Sequence, residues 1–208
     1  MATFGQITSS TSIAAGQSIR RNAGDSAFEA YTPSSGGGEY ALLESITYNG
    51  STALNIIGSA GWTTTVSLNS YRRLKVIFHI QNPTTTNAVP CIRFNSDTGA
   101  NYYSARSINS SNTNYNGETY IRINVGGVDN AAGEVLITNV IAAKPKGLRA
   151  VLNGMNTASV SGSQAHGVIA GIWNDTTNLI DSIQIYSSNS GSNFNPTSGS
   201  YIEVWGAA

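Results

Sequence analysis

Residues 72–81 read RRLKVIFHIQ, and this stretch constrains the fold more than any other. Leu74, Val76, Phe78 and Ile80 fall on one side of an extended chain, with Lys75, Ile77, His79 and Gln81 on the other. That is the period of two which a strand with one buried face requires. Similar runs recur at ETYIRINV (Ile121, Ile123 and Val125 inward), EVLITNVIAA, HGVIAGIW, LIDSIQIY and SYIEVWG, and more weakly at ALLESITY, WTTTVSL and PCIRF. No run carries a helical period, so the crossover helices of a parallel α/β sheet are missing. Roughly eight to ten short strands broken by turn signals predict an all-β fold, an antiparallel β-sandwich of jelly-roll type.

Composition sharpens this. Charged residues are 11% of the 208, and 11 basic and 11 acidic side chains cancel to a net charge of zero. A chain without a basic footprint is not expected to bind nucleic acid. Its polarity comes from Ser, Thr, Asn and 22 Gly, a mixture that suits strands and turns better than helices. The single cysteine, Cys91, rules out an internal disulfide framework and reads as a small buried residue. The opening MATFGQITSS has no basic leader or long apolar run, and no stretch approaches a membrane span. The expectation is a soluble protein made in a cytoplasm, with no membrane partner.

Residues 1–38 differ from the remainder. They show no sustained period, and they close on TPSSGGG, a flexible linker by composition. The reading is an extended N-terminal arm over 1–38 followed by a sandwich domain over 39–208. Such an arm can wrap a neighbour by strand addition, with Phe4, Ile7, Ile13, Ile19, Phe28 and Tyr31 as anchors. Arg20 and Arg21, with Asp25 and Glu29 close behind, offer either an intersubunit ion pair or a solvated one.

Candidate chemistry is sparse. RFNSDTGANYY, residues 93–103, clusters Asn95, Asp97 and Asn101 around Gly99. A calcium loop of the EF-hand kind would need a closing Glu and flanking helices, and a phosphate cradle a longer glycine-rich turn opening a helix. A hairpin turn accounts for the residues, with Asx turns at Asn95 and Asp97 and a positive φ at Gly99. His79 and His166 have no local partner for nucleophilic catalysis, and no Gly-x-Ser-x-Gly elbow occurs. Asp175 and Asp181 flank the loop WNDTTNLID and could serve as the carboxylate pair of a polysaccharide hydrolase or bind a metal, although loop carboxylates are commonly turn formers. No metal, cofactor or catalytic residue is assigned. Among the aromatics, Trp173 and Trp205 end strands, where half exposure would suit sugar stacking; Tyr102 and Tyr115 border INSSNTNYNGE, read as a long exposed contact loop. These four are the candidate glycan contacts.

Two regions resemble known proteins. SIRRNAGDSAFEAYTPSSGG is similar to a connector that precedes terminal domains in tailed-bacteriophage virion proteins. IRFNSDTGANYYSAR and IQIYSSNSGSNFNPTSGSYIEVWG resemble motifs of the C-terminal β-sandwiches of phage structural proteins, and together the matches span roughly a quarter of the chain. The resemblance implies a non-enzymatic homotrimer on the virion surface, anchored to capsid or tail proteins by its N-terminal segment. Lacking repeats or heptads for a long shaft, the chain reads first as a capsid decoration (cement) protein. The alternative is a tail-fibre or baseplate tip that recognises a host-surface glycan.

Overall fold

A computed structural model describes residues 18–21, 28–31, 40–47, 62–81, 90–124, 130–138, 140, 144–155, 165–187 and 199–208. The chain divides into two compact units, Met1–Glu39 and Tyr40–Ala208. In the first, β1 (Ser18–Arg21) pairs antiparallel with β2 (Phe28–Tyr31), placing Arg20 opposite Glu29. The segment expected to be an extended arm therefore contains paired strands of its own. They are four residues each, too short for an alternation to stand out in the sequence. Phe4, Ile7 and Ile13 lie outside the described residues.

The second unit is all-β, and its described strands form two antiparallel sheets. The strands are β3 (Ala41–Thr47), β4 (Trp62–Thr63), β5 (Arg73–Gln81), β6 (Pro90–Phe94), β7 (Tyr102–Ile108), β8 (Ser111–Glu118), β9 (Ile121–Arg122), β10 (Asn130–Thr138), β11 (Lys146–Met155), β12 (Ala165–Trp173), β13 (Ile183–Ser187) and β14 (Tyr201–Ala207). The larger sheet has the order β3-β14-β5-β10-β11-β12-β7-β8, and the smaller β4-β13-β6-β9. Their inner faces share one core: Val76, Phe78, Ile137, Ala150 and Ile169 from the large sheet meet Ile92, Phe94, Ile183 and Ile185 from the small one. This is a sandwich, in which each sheet buries the apolar side of its alternation against the other. In β5, Leu74, Val76, Phe78 and Ile80 are buried as the sequence predicts. WTTTVSL, in contrast, is strand only at Trp62–Thr63; the backbone N–H groups of Thr65 and Val66 then turn to the Glu44 carboxylate, at 2.8 and 3.3 Å.

The stretch at residues 95–101 is not a hairpin. β6 belongs to the small sheet and β7 to the large one, so the chain here crosses from one layer to the other. Positive φ falls on Asn95 (51°) and Ser96 (53°), not on Gly99. These two residues make a tight turn closed by Asp97 N–H donating to Phe94 O at 2.9 Å. INSSNTNYNGE is likewise not a loop. Ile108 and Ser111 are register partners around Asn109 (φ 46°) and Ser110 (φ 69°), a two-residue primed turn from which β8 returns along β7.

Gly171 shows how closely the layers approach. A Cβ there would come within 2.7 Å of Ile121 Cδ1, a fully buried side chain in the small sheet's edge strand. Gly171→Ala should therefore overpack the core and cost about 1–3 kcal/mol, a Tm fall of about 2–10 °C by calorimetry, while the outward neighbour change Ala170→Ser leaves Tm nearly unchanged.

Candidate interaction face

Loop 95–101 is held by its own side chains. Asp97 accepts from Gly99 N (2.7 Å), Asn101 Nδ2 (2.9 Å) and the Trp173 indole Nε1 (2.7 Å). Burial alone would push its carboxyl up, but these donors outweigh burial and hold the pKa below the ordinary aspartate value. Asn95 reaches across to the 179–182 segment: its Nδ2 donates to Leu179 O, and its Oδ1 accepts from Asp181 N and Ser182 N. The amide and carboxylate oxygens that suggested a cation loop thus serve backbone and side-chain donors. Among the described residues no cluster of three or more His, Cys, Asp or Glu is placed to hold a metal.

Two of the aromatic contacts expected at the surface are interior. Trp173 and Tyr102 are both 0% exposed, stacked on each other at 6.3 Å between ring centroids, with Phe94 5.5 Å from Trp173. The Tyr102 hydroxyl accepts from Phe94 N at 3.0 Å, which satisfies the polar tip of a buried ring, and burial raises its pKa. They end or begin strands, as expected, but at the point where the sheets meet, so their place is in the core. Trp205 and Tyr115 are half-buried. The Trp205 indole donates to Glu203 Oε2 at 3.0 Å, and Lys75 Nζ lies 5.8 Å from its ring.

The carboxylate pair is also committed. Asp175 Oδ1 accepts from Thr177 N, Thr177 Oγ1 and Asn178 N, and its Oδ2 accepts from Asn178 Nδ2. Asp181 accepts from Ser67 Oγ. One clasps its own turn and the other tethers the 64–68 segment. Lys146, which no sequence pattern marks, is fully buried: its Nζ donates to Asp175 O at 2.7 Å and to Asn178 O, and lies 4.9 Å from the Trp173 ring centroid. Desolvation lowers its pKa, opposed by the nearby Asp175 charge. Of the two histidines, His79 meets Tyr201 edge to face at 6.0 Å, and His166 is exposed beside the β7–β8 turn.

What the large sheet leaves uncovered is an apolar outer face. Along β12 the outward residues are Val168, Ala170 and Ile172; their register partners are Ser107, Ala105 and Tyr103 on β7, and Val168 also pairs with Val151 on β11. Val168 is 44% exposed, Ile172 47%, Val151 47% and Tyr103 39%. At one end this face dips into an open depression of about 410 Å³ lined by Ser107, Asn109, Asn153 and His166. Arg149 and Glu134 are the exposed charges beside it. Neighbouring exposed apolar side chains of this kind are more common at contact surfaces than on the rest of a soluble protein.

No family model, curated protein or solved structure matches this chain.

The carboxylate clasps have a pH consequence. The folded-state pKa values of Asp97 and Asp175 are depressed, so they stabilise the fold above the ordinary aspartate range, and that stability is lost as pH falls below it. Urea midpoints measured from pH 7 down to about pH 2.5 should decline toward acid, and Asp97→Asn with Asp175→Asn should flatten the decline while lowering the midpoint at pH 7.

Proposed function

We propose that this chain is a non-enzymatic virion component of a tailed bacteriophage, a jelly-roll-like sandwich that assembles as a homotrimer on the particle surface. Its N-terminal unit, including Ile19, Arg20, Arg21, Phe28 and Tyr31, is the anchor to other virion proteins, and capsid decoration is the role. The observation that carries the reading is the open apolar face on β7, β11 and β12, an arrangement suited to binding another protein surface. The motif resemblances support the phage setting and the trimer. That Asp175 and Asp181 are engaged as structural clasps, rather than free in a cleft, supports the non-enzymatic reading.

A second reading, a receptor-binding tip for a host glycan, is favoured by a specific observation: Tyr115 is half-buried in a strand rich in exposed amides and hydroxyls, with two arginines over its ring.

Two measurements bear on the leading reading. Deleting residues 1–38 should leave a folded head, with an unchanged far-ultraviolet circular dichroism spectrum, that no longer sediments with phage particles; undiminished co-sedimentation refutes the anchor. Val168→Lys should shift the full chain from trimer to monomer in light scattering without lowering Tm by more than about 1–2 °C, because the side chain is solvent-facing in the single chain.

A further inference from the structure

The outer side of the small sheet carries a band in which arginines and tyrosines alternate. Ile92, Phe94, Ile183 and Ile185 point into the core, so their strand neighbours Cys91, Arg93, Gln184 and Tyr186 point the other way, where Cys91, Gln184 and Tyr186 are nonetheless buried and Arg93 is half-buried. Arg122 of β9 is the register partner of Cys91 and extends this side toward the edge. The Arg93 guanidinium lies 4.5 Å from the Tyr186 ring centroid, and Tyr186 meets Tyr120 edge to face at 6.0 Å. Arg122 lies 5.7 Å from the Tyr120 ring and 4.8 Å from that of Tyr115, and Arg106 of β7 is 5.5 Å from Tyr115. Two guanidiniums therefore share the Tyr115 ring.

Three of the chain's eight arginines are gathered here, with Glu118 of β8 the carboxylate nearest along the chain. Their hydrogen bonds go to neutral acceptors. Arg93 Nε donates to Thr119 O at 3.0 Å and one terminal nitrogen to Gln184 Oε1 at 3.3 Å; Arg122 donates to the Tyr120 hydroxyl at 3.4 Å. Arg122 Nε is shut off from solvent and has no hydrogen-bond partner among the described residues. Resting on rings and neutral oxygens, these guanidiniums keep their full charge and the planar fork that matches an acid group. Thr113 of β8, the register partner of Arg106, is exposed on the same side of its strand as Tyr115 and offers a hydroxyl of the kind that bonds sugar hydroxyls.

We infer that this band binds an acidic saccharide, with Arg106 and Arg122 pairing a sugar carboxylate, Tyr115 packing on the sugar ring and the Thr113 hydroxyl meeting one of its hydroxyls. The inference rests on the glycan reading and adds the charge of the sugar and the place where it binds. A nucleic acid is the less suitable occupant, because 11 basic and 11 acidic residues leave no extended positive field to follow a phosphate backbone.

The test is calorimetric titration of the full chain with trigalacturonate, with the neutral galactotriose of the same linkage, and with a short oligothymidylate. Trigalacturonate is expected to bind, to weaken as NaCl rises from about 0.05 to 0.5 M, and to bind about tenfold more weakly to Arg106→Gln and Tyr115→Leu at unchanged Tm. Arg106→Lys, which keeps the charge but not the fork, should fall between. Ser45→Ala, exposed on the far edge strand β3, should leave the affinity within about twofold. Equal affinity for the two trisaccharides would overturn the acidic-sugar inference while leaving glycan recognition standing; binding of neither would remove both. Tighter binding of oligothymidylate, or no effect of the Arg106 and Tyr115 substitutions, would overturn the site.

Discussion

The hydrogen bond from the Trp173 indole to the Asp97 carboxylate joins the last residue of a central strand to the loop that carries the chain between sheets. The two residues are 76 positions apart, and the corner of the sandwich is built around their contact. Phe94, Tyr102 and Trp173 fill the space behind it, and Lys146 lies over the indole while gripping the carbonyls of the 175–178 turn. Burying an indole N–H, a phenol and an ammonium together is tolerable only because each has a hydrogen-bond partner. Remove Asp97 and the indole N–H loses its acceptor; remove the indole and Tyr102 and Lys146 lose the ring they pack on, so the crossover, the aromatic stack and the clasped turn depend on one another.

How much of this was legible in the sequence depended on whether a segment had one apolar face or two. β5 announced itself because Lys75 and His79 mark the outer side against Leu74, Val76, Phe78 and Ile80. β12 was found as a strand, but its faces were hidden: Gly167, Ile169, Gly171 and Trp173 point inward while Val168, Ala170 and Ile172 point outward, so both sides are apolar and no alternation distinguishes them. β8 failed in the opposite sense. Ser-Asn-Thr-Asn-Tyr-Asn-Gly-Glu has almost no apolar residue, and it is a strand because β7 and the turn at Asn109–Ser110 template it. Local composition reads as loop there, and tertiary pairing overrides it.

The candidate site was read with the same bias. Trp173 and Tyr102 were expected at the surface because they sit at strand ends, but a strand end in a sandwich is as often a corner of the core. Tyr115 was singled out for its neighbours on the chain; its actual partners, Arg106 and Arg122, come from the preceding strand and from the small sheet's edge. Asn95 and Asp97 were recognised as polar anchors, yet the identity of what they anchor, Ser182 and Trp173, is information that only the folded chain contains. Lys146 had no signal at all, since a lone lysine before a glycine looks like ordinary solvent-facing charge.

The amide-rich character of β8 has a consequence for how copies of this protein can meet. It forms one border of the eight-stranded sheet, and a bare border with unpaired backbone groups is an invitation to indefinite lateral growth. Here that border is lined with exposed Asn, Ser and Thr side chains and is poorly suited to a dry, interdigitated zipper. The sticky surface lies instead on the broad flat of the sheet, at right angles to the direction in which strands would add. A contact made through that flat can close on a fixed number of copies, whereas one made by strand addition at the border would propagate without end.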